Sequence, residues 1–311
     1  MKRLFALALL PSFSFFCVAQ NSSSSRPPIT GISHISVYTS NATSSEHYYV
    51  HDIGLKKGAD PENPNGVRYY VNATQFVEVL PLPANAGNNR LDHLAYITTN
   101  VEALRAYLGA HKIEVPAAVE KGSDGSRWFY VKDPEGNKVE FTQPPSHPIA
   151  MTGADPIGKH IIHVGMLVHS RDAENPFYRE LLGFKPYWFG GMKPDKIDWV
   201  SQQVPNGHDW LEYMLTSGPS GGGIPKEVSQ KQLGVLNHLS IGVVNMEKAV
   251  TTLDSAERLN NEHVGPQIGK DGKWQYNLFD PDETRLELME YSPVEKPCCS
   301  PFTAPNPTAV E

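Results

Sequence analysis

The chain has 311 residues and is acidic, with 27 lysines and arginines against 34 aspartates and glutamates, a formal charge of −7. This balance argues against nucleic acid or an anionic membrane surface as a partner, because both bind through clustered positive charge.

The N-terminal segment reads as a secretory signal peptide over residues 1–19. Lys2 and Arg3 precede an apolar run, and a small residue, Ala19, stands at the expected cleavage point. The apolar run is shorter than the roughly 20 residues that a membrane span needs, which argues against stable membrane insertion. Residues 20–30 are rich in serine and proline and are predicted to be a linker. We expect a secreted or periplasmic protein.

Four strand-like segments each carry one histidine. Small residues stand two positions further along, on the same strand face, and apolar residues occupy the opposite face. The four histidines are His34, His93, His163 and His238, and the small residues are Ser36, Ala95, Gly165 and Ser240. This alternation predicts half-buried strands that present a histidine with little bulk beside it.

A helical stretch follows each histidine strand, at residues 44–53, 101–109, 173–182 and 246–259. The first and third stretches end at Gly54 and Gly183, which favour a left-handed C-terminus. In the second and fourth copies, turns at Asp133-Pro134 and Asp280-Pro281 precede the final strand. The predicted order in every copy is strand, helix and then three strands.

A glutamate between apolar neighbours lies 44 to 49 residues after each histidine. These glutamates are Glu78, Glu140, Glu212 and Glu287. Imidazole and carboxylate brought together by one small sheet form a donor set that suits divalent zinc, nickel, manganese or iron, without choosing among them. The chain therefore reads as a metalloenzyme scaffold.

The order of elements and these residues resemble the vicinal oxygen chelate superfamily over residues 31–293. That superfamily includes glyoxalase I, methylmalonyl-CoA epimerase, extradiol ring-cleaving dioxygenases and bleomycin-resistance proteins. The resemblance implies an α+β fold in which four βαβββ modules pair into two cup-shaped mixed sheets with helices outside. It also implies that His34, Glu78, His93, Glu140, His163, Glu212, His238 and Glu287 occupy ligand positions.

The predicted domains follow from the modules. The first spans residues 31–148, with modules at 31–84 and 90–145, and the second spans residues 158–293, with modules at 158–216 and 234–293. Consecutive modules form the cups in one arrangement, whereas modules one and four pair with each other in the alternative. A proline-rich tail, residues 294–311, is expected to lie over the surface or fray.

Three functions remain open at this point. Four protein ligands leave two positions on a six-coordinate metal, which favours glyoxalase- or epimerase-type proton transfer on a substrate with adjacent oxygens. The alternative is an iron-dependent extradiol dioxygenase. The metal-ligand pattern of those enzymes maps onto His163, His238 and Glu287, and Glu212 departs from that pattern. A metal-free binding or resistance protein is the second alternative, although the retained ligand residues speak against it.

The second half is the expected site of the reaction. There Glu287 and Glu212 are the candidate catalytic residues, and the candidate substrate-binding residues are Trp210, Tyr213, Trp274 and Tyr276. A glycine-containing run at residues 217–224 is a candidate lid. Cys298 and Cys299 are adjacent in the tail, where a plain thiol pair and a redox or metal role are equally open. Substrate, metal and oligomeric state are not predicted.

Overall fold

A computed structural model describes residues 25–215, 227–259 and 261–309. The predicted signal peptide and the candidate lid at 217–224 lie outside these ranges and stay predictions. Within them, no helix combines the length and the apolar composition that crossing a bilayer requires.

Two eight-stranded mixed sheets form the framework. The first contains β1 (Ile29–Thr39), β2 (Lys56–Ala59), β3 (Val67–Tyr70), β4 (Phe76–Pro81), β5 (Leu91–Thr98), β6 (Glu120–Lys121), β7 (Arg127–Lys132) and β8 (Lys138–Gln143). The second contains β9 (His160–Leu167), β10 (Lys185–Gly190), β11 (Trp199–Gln203), β12 (Trp210–Met214), β13 (His238–Val243), β14 (His263–Ile268), β15 (Trp274–Phe279) and β16 (Arg285–Glu290).

Strand order shows how the modules pair. The first sheet runs β2-β3-β4-β1-β5-β8-β7-β6, and the second runs β10-β11-β12-β9-β13-β16-β15-β14. In each module the first and last strands are parallel neighbours, and the two modules join through antiparallel first strands, β1 with β5 and β9 with β13. Consecutive modules therefore form each cup. The predicted α+β fold of paired cup-shaped sheets is confirmed.

In the described part of the chain, four helices begin where a histidine strand ends and a fifth precedes β13. They are α1 (Ala42–Glu46), α2 (Val101–Ala110), α3 (Arg171–Asn175), α4 (Gln230–Leu236) and α5 (Met246–Ser255), and α1 and α3 continue as π-helical turns over His47–Asp52 and Pro176–Leu181. Side chains of Asn41, Asn100, Ser170 and Asn245 accept a backbone N–H and cap α1, α2, α3 and α5. The predicted left-handed helix C-termini at Gly54 and Gly183 are also confirmed, because the two glycines have φ of 82° and 77°.

Helix α4 was not anticipated. It precedes β13 and starts with a reciprocal capping box between Ser229 and Gln232. The pattern Ser-x-x-Gln was available in the sequence as a signal for this helix start.

The hydrophobic core lies on the face of each sheet that looks away from the cup. In β1, Ile35 and Val37 enter the core while His34 and Ser36 face the cup. The same alternation holds in β9, where Val164 is a core residue beside His163. Because side chains alternate along a strand, burying the apolar face forces every histidine onto the concave face.

Candidate functional site

Each predicted histidine lies on a first strand and each predicted glutamate on a last strand. His34 and His93 lie on β1 and β5, and His163 and His238 lie on β9 and β13. The glutamates Glu78, Glu140, Glu212 and Glu287 lie on β4, β8, β12 and β16. Since the first strands are central in each sheet and the last strands flank them, the structure gathers the eight residues into two clusters of four.

The small residues beside the histidines have a clear structural purpose. Across the antiparallel centre of the second sheet, Gly165 faces His238 and Ser240 faces His163. In the first sheet, Ala95 faces His34 and Ser36 faces His93. Each small residue therefore leaves room for the imidazole of the partner strand, which lets two histidine rings approach each other across the floor of the cup.

Gly165 is the tightest of these positions. A Cβ added there would lie 2.0 Å from Cε1 and 2.3 Å from Nδ1 of His238. The ring cannot easily move away, because Nδ1 of His238 donates to the carbonyl of Leu236 at 3.0 Å.

Gly165→Ala is therefore expected to displace His238 and lower metal affinity of the second cluster by about 10- to 100-fold, as disturbed ligand support commonly does. Chelator competition measures this affinity. Gly87→Ala is the matched control, because a Cβ at Gly87 meets nothing within 4 Å. Unchanged affinity in Gly165→Ala would contradict the expected crowding.

The second cluster converges on one point inside the cup. Nε2 of His163 lies 3.1 Å from Nε2 of His238 and 3.2 Å from Oε2 of Glu287. Donor atoms of these three residues all lie within 4.8 Å of one another. Ligands held about 2.0–2.2 Å from one ion are about 2.9–3.5 Å apart, so these atoms fit a shared divalent metal.

Glu212 stands slightly apart from this triad. Its Oε2 lies 3.8 Å from Nε2 of His238, and its Oε1 accepts from Ser201 at 3.2 Å. Burial, followed by the charge of Glu287, raises the pKa of Glu212 to about 8. The structure therefore presents two histidines and one carboxylate as the convergent set, with a second carboxyl of raised pKa beside them.

The triad itself is in the protonation state that metal binding needs. Burial lowers the pKa of His163, and burial together with Arg285 and His163 lowers that of His238 well below its ordinary value. Burial alone would raise the pKa of Glu287, but His163 and Arg285 outweigh it and lower the pKa. Two neutral imidazoles and one carboxylate result.

A cavity of about 510 Å³ opens over the second cluster. Its wall includes Glu212 and Glu287, the aromatic side chains Trp188, Trp199 and Trp210, and the polar side chains Ser201, Gln275, Asn277 and Arg285. Trp210 also stacks on His163 with ring centroids 4.6 Å apart, which fixes the plane of that imidazole. The cavity is large enough for a small aromatic substrate.

Three predicted substrate-binding residues lie elsewhere. The structure places Tyr213, Trp274 and Tyr276 with the hydrophobic core on the opposite face of the sheet, whereas Trp210 lines the cavity. The correction follows from strand geometry: a residue next to a ligand in sequence points away from it. Gln275 and Asn277, the two neighbours of Tyr276 in sequence, face the cup instead. Asn277 pairs with Glu287 across the sheet, and residues two positions apart on a strand share a face, so this pairing would have identified both residues.

The C-terminal tail does not fray but crosses the rim of the second cup. The N–H of Cys298 donates to Lys270, and the N–H of Thr303 donates to Tyr187, at 2.7 and 3.0 Å. Phe302 of the tail lines the cavity. The adjacent cysteines, Cys298 and Cys299, form a disulfide, and Cys298 also lines the cavity. The tail is thus part of the cavity wall.

A buried lysine near this wall was not anticipated. Lys273 is fully buried, and its ammonium lies 4.6 Å from the centre of the Trp210 ring and 5.0 Å from that of Phe302. Burial lowers the pKa of Lys273 to about 8. The cation connects the tail to the tryptophan that supports His163.

The first cluster also converges. Nε2 of His93 lies 3.0 Å from Nε2 of His34 and 3.0 Å from Oε2 of Glu140, and Nε2 of His34 lies 3.4 Å from the same oxygen. Oε2 of Glu78 is 3.9 Å from Nε2 of His93. All four residues are at most 1% exposed. The eight predicted residues therefore form two compact sets, although their role as ligands stays a prediction.

Comparison with known proteins places this geometry in context. Residues 160–293 match the family model described as Glyoxalase/Bleomycin resistance protein/Dioxygenase superfamily. No curated protein sequence matched the chain.

Solved structures resemble the chain in fold at low sequence identity. A catechol 2,3-dioxygenase is 16% identical with a TM-score of 0.60, covering 91% of this chain and 96% of its own. An extradiol ring-cleaving dioxygenase from Brevibacterium fuscum is 14% identical with a TM-score of 0.63, covering 90% and 76%. Homoprotocatechuate 2,3-dioxygenase from the same organism, in complex with 3,4-dihydroxyphenylacetate, is 15% identical with a TM-score of 0.61, covering 85% and 81%.

Proposed function

Because residues 160–293 belong to the Glyoxalase/Bleomycin resistance protein/Dioxygenase superfamily, we propose that this chain is a metal-dependent enzyme whose second cup binds a small substrate through adjacent oxygens. We further propose ring cleavage of a catechol-like compound with dioxygen as its reaction and ferrous iron as its metal. This choice reverses the ranking that the sequence favoured, in which proton transfer came first.

The observation that carries the proposal is the separation of Glu212 from the other three residues. His163, His238 and Glu287 form a convergent set of two histidines and one carboxylate beneath an open cavity. A metal bound by three protein ligands on one face keeps three positions free, which is the arrangement associated with oxygen-activating iron. When bound, the metal would hold two adjacent substrate oxygens and neutralise their developing charge.

The surrounding side chains would orient and shield the substrate. Trp188, Trp199 and Trp210 offer flat apolar walls, which suit an aromatic ring and exclude water from its faces. The carboxyl of Glu212 lines the same cavity, and in its protonated form it can donate a hydrogen bond or a proton to a substrate oxygen. Arg285 lines the cavity near Glu287, at 3.8 Å, and offers a cation to an anionic substituent.

Glu212 also supports a second candidate function. A carboxyl with a pKa near neutrality, adjacent to a metal triad, is what a glyoxalase- or epimerase-type proton transfer would use as its base. The two candidates share the site and the metal but differ in their need for dioxygen and for Glu212.

Metal analysis and oxygen consumption test the proposal. Protein purified without added metal should contain iron or gain it on anaerobic addition of Fe²⁺, and should then consume dioxygen with a catechol while the ring-cleavage product absorbs in the visible or near-ultraviolet region. His163→Ala is the matched inactive control. A protein that binds a divalent metal but consumes no dioxygen with any catechol would refute ring cleavage.

We also propose that the chain is exported with cleavage before Gln20. The predicted signal peptide motivates this proposal, and the disulfide between Cys298 and Cys299 supports it, because disulfides persist mainly outside the reducing cytoplasm. The intact mass of the protein secreted by its expression host tests it. Retention of residues 1–19 in that protein would contradict it.

A further inference from the structure

A third group of donor side chains lies outside both cups. The π-helical turn His47–Asp52 packs its two tyrosines into the core on the outer face of the first sheet. The same turn carries His47, His51 and Asp52, and one donor atom from each of these residues lies within 4.8 Å of the other two. The three residues belong to a helical turn, whereas the cup clusters are built from strands. This group is therefore separate from both clusters.

The two imidazoles and the carboxylate face one point. Nδ1 of His51 lies 2.8 Å from Oδ1 of Asp52, and Nδ1 of His47 lies 3.6 Å from the same oxygen. The two imidazole rings are stacked, with centroids 4.6 Å apart and planes inclined by 28°. Ligands held about 2.0–2.2 Å from one ion are about 2.9–3.5 Å apart, so both separations lie close to that range.

The carboxylate is the fixed member of the group, and the histidines are open to solvent. The side chain of Asp52 is 2% exposed, whereas those of His47 and His51 are 56% and 52% exposed. Nδ2 of Asn261 donates to Oδ2 of Asp52 at 3.2 Å, and Nε of Arg258 donates to its backbone carbonyl at 2.7 Å. A carboxylate oriented through one oxygen, with the other oxygen beside two exposed imidazoles, is a supported ligand with an entry path from solvent.

The third module shows that the turn itself does not require these donors. Its π-helical turn, Pro176–Leu181, also has six residues and also precedes a glycine with positive φ. The positions that match the three donors hold Pro176, Glu180 and Leu181. The same local structure forms there without a histidine, so the fold of the turn does not account for the donor group in the first module.

We propose that His47, His51 and Asp52 form a surface binding site for a divalent transition metal of the zinc, copper or nickel class. Two imidazole nitrogens and one carboxylate oxygen favour these ions over magnesium and calcium, which prefer all-oxygen sites. Three protein ligands leave at least one position for water or an external ligand. Because Asp52 is also bonded to Arg258 and Asn261, the ion strengthens the contact between this turn and the second half of the chain.

Zinc titration with matched variants tests the site. When the purified protein is titrated with Zn²⁺ alone, His51→Ala should take up one equivalent fewer than the wild-type protein. His111→Ala is the matched control, because His111 is an exposed histidine at the end of another helix and should not change the uptake. His163→Ala should keep the surface equivalent, since His163 belongs to the second cup.

Affinity and stability give two further readouts. Asp52→Asn should weaken the surface equivalent by about 10-fold or more, because losing a charged ligand costs at least as much as losing the support of one. Zn²⁺ at about 100 times the dissociation constant of this site should raise the thermal midpoint of the wild-type protein by about 5 °C more than that of His51→Ala.

The outcomes separate this proposal from the proposed function. Equal Zn²⁺ uptake and affinity in the wild-type protein and His51→Ala would overturn the surface site. Wild-type affinity in Asp52→Asn, or loss of the equivalent in His111→Ala or His163→Ala, would overturn it as well. A protein that shows the expected pattern of uptake but cleaves no catechol would support the surface site and count against the proposed function alone.

Discussion

Glu287→Gln is expected to lower kcat/KM by about 1000-fold or more while the protein remains folded. The amide is a poorer metal ligand than the carboxylate, and Glu287 supplies the only carboxylate that converges with His163 and His238 in the described part of the second cup. The loss of activity should exceed the 10- to 100-fold loss that typically follows from changing a residue that only supports a metal ligand through a hydrogen bond. Steady-state kinetics and metal content measure it, and circular dichroism checks the fold.

The matched control is Glu140→Gln, the same substitution on the last strand of the other cup. Its kcat should stay within about 3-fold of wild type at a temperature where it is folded, because the first cluster does not border the open cavity. A reversed result, with Glu140→Gln inactive and Glu287→Gln active, would place the reaction in the first cup and refute the assignment.

Glu212→Gln is expected to distinguish the two candidate reactions. Ring cleavage needs only the three convergent ligands, so we expect the variant to keep dioxygen uptake within about 10-fold of wild type. Proton transfer would lose its base, which typically costs about 10²- to 10⁴-fold. The glutamine keeps the size of the side chain and can still accept from Ser201.

The measurement pairs oxygen consumption with metal content in the same preparation. Unchanged metal content with dioxygen uptake retained supports the extradiol proposal, and retained metal with activity lost on a substrate that needs no dioxygen supports proton transfer. Loss of the metal from Glu212→Gln would show that Glu212 is a fourth ligand after all, against the 3.8 Å separation from His238.

Much of the fold was predictable because local patterns and global packing agree. Alternation around His34, His93, His163 and His238 identified the first strands, and glycines and aspartates marked helix ends and turns. Asp133 and Asp280 each accept two backbone N–H groups within their own turns, as the predicted turn chemistry requires. The order of strand, helix and three strands followed from signals within each module, and the α+β architecture followed from the family resemblance.

The cavity was harder to predict because it depends on side-chain direction and on distant segments. Trp210 and Tyr213 lie on opposite faces of the same strand, and only Trp210 lines the cavity of the second cup. The tail lies more than 100 residues from Tyr187 in sequence but Thr303 donates hydrogen bonds to its carbonyl. Composition identified the tail as proline-rich without indicating which surface it would cover.

The sequence by itself determined the four histidine strands, the four glutamate strands and the order of strand, helix and three strands in each module, because strand periodicity and turn chemistry are local properties. Only the tertiary structure decided that consecutive modules share a cup, that Glu212 stands apart from the triad, and that Arg68 and Tyr130 pair with the glutamates of the first cluster while Ser201 and Asn277 pair with those of the second. These outcomes depend on which strands become neighbours and on how much volume facing side chains fill. Packing between segments distant in sequence settles both.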